Sequence, residues 1–258
     1  MHNLEHICLI GTGKLSRQLA KKLPIFKDKP LFIWGRNSEH AASIANEFGL
    51  VNLNGLQEIP ENSAVLLCVS DNAIEQLANE LKDKALFLIH FSGTQSINRL
   101  TPCTPNAAVI WPNQSFSSAV HIDWKNVPLI LEVSNDTAKV WLMEIVKELD
   151  GPAVFLDEES RIKLHLAAVV ANNFINHLLV LTESWCKQNK LDFKLLLPLI
   201  NQSTHNLQNQ SPSQLQTGPA SRNDWTTIQS QIEMLSHFPQ LKEVYTLFSN
   251  QIAEKNNN

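Results

Sequence analysis

His6-Ile7-Cys8-Leu9-Ile10 is a short, mainly apolar run that passes directly into Gly11-Thr12-Gly13-Lys14-Leu15-Ser16. Five residues closed by a glycine suit a buried strand, and residues 15–23 beyond the turn repeat their apolar positions at helical spacing. In such a strand–turn–helix the first glycine permits the tight turn and the second lets the backbone approach a pyrophosphate. The helix N-terminus then supplies free amides and a partial positive charge. Ser16 stands where a third glycine is usual and is small enough for close helix–strand packing. Glycine is scarce, eight in 258 residues, so its positions carry information.

Working outward, apolar runs near 30–34, 64–69, 85–90, 107–111, 128–133 and 152–156 alternate with amphipathic stretches at 39–48, 73–81 and 137–149. That alternation is the pattern of a parallel sheet covered by helices. Asn72 and Asp136 are placed to cap two of the helices, and residues 92–104 read as a short helix or a loop. After residue 156 the strand signal stops. Helical spacing recurs at 158–188, 192–208, 223–236 and 239–255, broken by polar joints. The expected fold is therefore α/β: a Rossmann-like doubly wound parallel sheet over 1–156, then a smaller all-helical domain over 157–258.

Within the second domain, residues 164–181 are apolar on nearly every side, interrupted by His165, Asn172, Asn173, Asn176 and His177. Those polar residues argue against a membrane span. A helix apolar all round must be covered all round, so it is expected to pack on the first domain and on a partner subunit. The tail at 255–258 is expected to fray.

A composition of 43% hydrophobic and 18% charged residues with net charge −4 is that of an ordinary globular protein, long enough for two domains. No run of five or six like charges offers a footprint for nucleic acid or anionic lipid. Cys8, Cys68, Cys103 and Cys186 show no metal-type spacing, and three lie inside apolar runs. They read as reduced thiols. Without a basic leader before the first strand, a cytoplasmic location is expected, and no metal site.

Arg36 stands 23 positions past Gly13, at the end of the second strand, with Asn37 after it and no acid beside it. An acid there would hold the ribose 2′-hydroxyl of NAD, whereas an arginine accommodates the 2′-phosphate of NADP. NADP is favoured over NAD. Ligands of an open parallel sheet lie across the carboxyl ends of its strands. Val69-Ser70-Asp71-Asn72, His90-Phe91-Ser92-Gly93 and Trp111-Pro112-Asn113-Gln114 are thus candidate walls of the pocket. On the long helix His165, Asn172 and Asn176 share one face, with Asn173 one step round. They either bond to other protein groups or line an interdomain cleft, where His165 would be a proton donor and an asparagine would orient a carbonyl or imine. In the late joint, Gly218 and Pro219 suit a turn, Asn223 or Asp224 a helix cap, and Arg222 an exposed ion pair or an anion contact.

Gly11-Thr12-Gly13, His90-Phe91-Ser92-Gly93, Pro112-Asn113-Gln114-Ser115-Phe116, His165-Leu166-Ala167-Ala168 with Asn172-Asn173-Phe174, and Gln216-Thr217-Gly218-Pro219-Ala220-Ser221-Arg222 together resemble a bacterial family of NADP oxidoreductases. In that family a Rossmann-like domain precedes a helical domain of unknown function. The likeness covers nearly the whole chain. The family looks like a relative of pyrroline-5-carboxylate reductase, ketopantoate reductase and the β-hydroxyacid dehydrogenases, which implies a dimer through the helical domain. Trp111 stands where some members have a histidine, so no general acid is carried over there. Lys163 is followed four later by Ala167 rather than asparagine, so no catalytic lysine is carried over either.

Two functions are expected from these readings. The first is a reductase passing hydride from NADPH to a carbonyl or imine of a small metabolite. Gly11, Thr12, Gly13, Lys14, Leu15, Arg36, Asn37, Ser70 and Asp71 would bind cofactor, and His90, His165 and Asn173 would serve catalysis. The second is a non-catalytic NADP-binding dimer that contacts a protein partner.

Overall fold

The computed structural model describes residues 4–23, 30–82, 84, 87–116 and 122–255. The first two positions of the strand expected at 85–90, and the last three of the tail, lie outside them. The chain divides into two compact units, Met1–Ala168 and Val169–Asn258.

The first unit runs β1 (His6–Ile10), α1 (Lys14–Lys22), β2 (Leu31–Trp34), α2 (Ser38–Phe48), β3 (Val51–Asn52), β4 (Ser63–Leu67), α3 (Asp71–Glu80), β5 (Phe87–His90), β6 (Ala107–Pro112), β7 (Leu129–Val133), α4 (Asp136–Leu149), β8 (Ala153–Phe155) and α5 (Glu158–Ala168). The eight strands form one sheet in the order β3-β2-β1-β4-β5-β6-β7-β8. Every pairing is parallel except the antiparallel β6–β7. This is the expected Rossmann-like sheet, and β1 lies where the strand order reverses.

Alternation along the strands makes two cores. Ile7, Leu9, Ala64, Leu66 and Ile89 face one layer with Leu19, Ile44, Trp141 and Leu142, from α1, α2 and α4. Cys8, Ile10, Val65, Leu67 and Leu88 face the other with Ile74, Leu77 and Leu100. The central strands β1, β4 and β5 are buried almost throughout, as expected for strands covered on both faces.

Local corrections are few. The two-residue β3 was not expected; it is too short to show a period. The caps fall slightly earlier than expected: α3 starts at Asp71, so Asn72 is inside it. The Asn135 side chain, not Asp136, accepts from the Ala138 amide at 2.8 Å. Residues 92–104 contain one 3-10 turn, Ile97–Arg99, whose cap is Ser96. At the outer edge β8 is exposed along its length, and the Lys139 ammonium lies 5.1 Å over the Phe155 ring.

The second unit begins with a π-helical turn, Val169–Phe174, then α6 (Ile175–Gln188), α7 (Leu197–Asn206), α8 (Trp225–Met234) and α9 (Pro239–Lys255). Tyr245 of α9 donates to Gln231 of α8. Asp224 rather than Asn223 caps α8, accepting from the Thr227 amide at 3.1 Å, while Asn223 adopts a left-handed conformation. Helix Glu158–Gln188 is long and apolar enough, by length and composition, to cross a membrane. In the single chain none of its most apolar 18 residues is buried.

Candidate functional site

Gly11 closes β1 with φ +117°, and a Cβ there would lie 2.3 Å from the Cys68 carbonyl oxygen. Both facts demand glycine. Its amide donates to Trp34 O at 2.8 Å, and its carbonyl accepts the Ser16 hydroxyl at 2.6 Å. Ser16 is fully buried. The position that usually carries a third glycine here carries a hydroxyl that ties the turn to its helix, a role not visible from residue size. Gly13 is the opposite case: a Cβ would meet nothing within 4 Å. It precedes α1, whose N-terminus has no side-chain cap and no acid in its first turn. Unpaired amides and the positive helix end are left open to a ligand.

These residues border a cavity of about 510 Å³ at the carboxyl ends of β1, β2, β4 and β5. Its size is that of a small-molecule site. All nine expected cofactor residues, Gly11, Thr12, Gly13, Lys14, Leu15, Arg36, Asn37, Ser70 and Asp71, line it. The strand ends also contribute Val69, Phe91 and Ser92, while Cys68, Ala73 and Leu77 were not anticipated. Leu77 and Ala73 lie on α3 and carried only a core signal in the sequence.

Arg36 is exposed, and among the described residues its side chain forms no hydrogen bond or ion pair. With no partner among those residues, its guanidinium is open to an anion. Asn37 caps α2, its Oδ1 accepting from the His40 amide at 2.9 Å. Asp71 Oδ2 accepts from Thr94 Oγ1 at 2.9 Å and Gln95 Nε2 at 3.2 Å. Burial pushes the Cys68 thiol up, so it stays neutral.

The three expected catalytic residues do not line the cavity. His90 is fully buried on the sheet face that carries α3. Its Nδ1 accepts the Ser92 amide at 3.2 Å, and among the described residues Nε2 has no hydrogen bond. Burial, and next the charge of Arg161, pull its pKa down to about 4. His165, on α5, is half-buried, its ring 5.2 Å from that of Trp111. It lies so close over Gly93 that a Cβ there would approach Cδ2 to 2.3 Å. Asn173 is exposed in the π-helical turn of the second unit, 3.4 Å from Asn172 Nδ2.

One polar group escaped the sequence. Arg161 is fully buried, pairing with Glu132 at 3.0 Å and donating to the carbonyls of Ser92 at 3.2 Å and Gln95 at 2.8 Å. Flanked by Glu158, Glu159 and Lys163, it reads in sequence as part of a solvated face. Burial raises the Glu132 carboxyl despite the guanidinium beside it. Among the described residues no three metal-binding side chains cluster.

The model of a domain of unknown function, DUF2520, matches residues 127–252. No curated protein matches the sequence. Among solved structures, the chain is similar to the "putative NADP oxidoreductase BF3122" of Bacteroides fragilis, at 30% identity and TM-score 0.88, covering 98% of this chain and 99% of that one. Protein TM1727 of Thermotoga maritima shares 24% identity at TM-score 0.71, covering 98% and 100%. A pyrroline carboxylate reductase of Plasmodium falciparum, solved with NADP bound, shares 13% identity at TM-score 0.59, covering 96% and 99%. The last two likenesses show the fold alone. The first, running from end to end of both proteins, places this chain in the family of the Bacteroides protein.

Proposed function

We propose that this protein is an NADP(H)-dependent oxidoreductase acting on a carbonyl or imine of a small metabolite. The observation that carries the reading is the cavity at the strand-order reversal, bordered by the Gly11–Gly13 turn, the α1 N-terminus without a side-chain cap, and Arg36, which has no partner among the described residues. The residues fit a dinucleotide: a side chain at Gly13 would fill the cradle, and the free amides and guanidinium suit phosphates. When bound, the coenzyme supplies the hydride.

The chain's own groups do the rest. The α1 amides hold the diphosphate, Arg36 with Asn37 takes the 2′-phosphate end, and Ser70 with Asp71 lines the far half. His165, steadied by Trp111, delivers the proton taken up by the carbonyl oxygen or imine nitrogen. His90 is neutral and shut away, so its part is to hold the Ser92 amide rather than to transfer a proton. The exposed leucines, valines and phenylalanine of helix Glu158–Gln188, such as Leu166, Val170 and Phe174, are covered by a second copy in a cytoplasmic homodimer. Sedimentation of the purified protein reads that state.

Fluorescence titration with NADPH and NADH tests the cofactor. The parent is expected to prefer NADPH at least about tenfold, and Arg36→Asp to reverse the preference. Equal affinities in the parent remove the case for Arg36. A second reading, a non-catalytic NADP-binding dimer, is favoured by the absence of His90, His165 and Asn173 from the cavity lining. NADPH oxidation over a panel of keto and imino compounds separates the two.

A further inference from the structure

The loop at 92–96 is held almost wholly by side chains. The Ser92 hydroxyl accepts the amides of Thr94 and Gln95, each at 3.1 Å. Its carbonyls at 92 and 95 accept from Arg161, Gly93 lies under His165, and the Ser96 hydroxyl donates to Glu158. Glu158, Arg161 and His165 stand at i, i+3 and i+7, so one face of α5 grips the loop along its length.

A fully buried guanidinium is expensive to maintain unless every donor is used. Arg161 uses its Nε and both terminal nitrogens, on Glu132 and on the two loop carbonyls. From the loop, the Thr94 hydroxyl and Gln95 amide reach the opposite way, and both donate to one oxygen of Asp71, Oδ2. The other oxygen, Oδ1, accepts no hydrogen bond among the described residues. Asp71 borders the cavity and Arg161 does not.

Strand order sets which half of a dinucleotide meets Asp71. Arg36 follows β2, the glycine turn follows β1, Asp71 follows β4 and Ser92 follows β5, four adjacent strands in that sequence. Strands are spaced about 4.8 Å apart. A ligand with its 2′-phosphate at Arg36 and its diphosphate at the turn therefore carries its nicotinamide half toward Asp71.

We infer that Arg161 is a positioning residue for the nicotinamide half of the coenzyme: it fixes the 92–95 loop, which turns Asp71 so that Oδ1 is offered to a neutral donor such as a ribose hydroxyl or the carboxamide. The inference rests on the cavity taking NADP(H). It deepens that reading by giving the adenosine half and the nicotinamide half separate supports.

The test compares the full-length parent with Arg161→Lys, Thr94→Val and the double variant. Each is titrated with NADPH and with adenosine 2′,5′-bisphosphate, which lacks the nicotinamide half. Arg161→Lys is expected to weaken NADPH about tenfold and Thr94→Val about threefold, with the bisphosphate unchanged within about twofold for both. The double variant should bind NADPH no more weakly than Arg161→Lys alone, because both act through Asp71. Equal weakening of both ligands by Arg161→Lys, or additive losses in the double variant, would overturn the inference. Should Arg161→Lys fail to fold, the exposed Thr94→Val carries the test, and an unchanged NADPH affinity there refutes it. A parent that binds neither ligand removes the cavity reading itself, and the inference with it.

Discussion

The turn at residues 11–16 and the loop at 92–96 both contribute to the wall of the same cavity, yet they are built in opposite ways. The turn is a local object: a glycine in a conformation other residues avoid, a backbone bond to the adjacent strand, and a hydroxyl five residues on. The loop is held by a guanidinium 69 residues away along the chain. A motif of six residues can specify the first. The second exists only once β5, β7 and α5 have been brought together.

The largest effect should come from breaking the turn. Gly11→Ala combines a disfavoured φ with a backbone clash that no rotamer relieves, so a stability loss on the order of 4 kcal/mol is expected together with loss of NADPH binding. Urea unfolding and the same titration measure both; a variant that melts like the parent would show that the turn can be rebuilt.

Next in size is a pH effect on the loop side. The His90 pKa falls from the ordinary 6.5 to about 4 in the folded protein, so the unfolded chain takes this proton first. Its contribution is complete above about pH 6.5 and is lost as the pH drops toward 4, about 3 kcal/mol in all. His90→Gln should flatten that part of the stability–pH curve, and parallel curves for parent and variant would refute the assignment.

The smallest effect on folding, and the sharpest contrast, is Gly13→Ala. At φ −76° and with open space around the new methyl, stability should stay within about 0.5 kcal/mol. NADPH affinity should still fall at least about tenfold, because the space taken is the ligand's. Matching affinities would mean that the backbone at Gly13 is not where a phosphate approaches.

The same contrast explains how much could be read beforehand. Sheet, helices and the glycine turn follow from period and spacing, and the nine cofactor candidates line one cavity because strand ends and the turn are local features. Arg161 could not be found, since its partners Ser92, Gln95 and Glu132 are distant in sequence. His90 was expected near the coenzyme because it ends a strand. The pleat instead turned it to the same side as Leu88, into the layer beneath α3, and only the register of β5 decides that.

The outer rim of the sheet has its own logic. β8 presents Val154 and Phe155 to solvent at 38% and 43% exposure, on a strand that ends the sheet among the described residues. Such a border is a template on which other chains can add strands. Lys139 from α4 lays its ammonium over the Phe155 ring, placing a hydrated charge where an invading strand would have to shed water. Neutralising that one lysine would cost the folded chain little, and would be felt instead as slow, irreversible clumping in concentrated stocks.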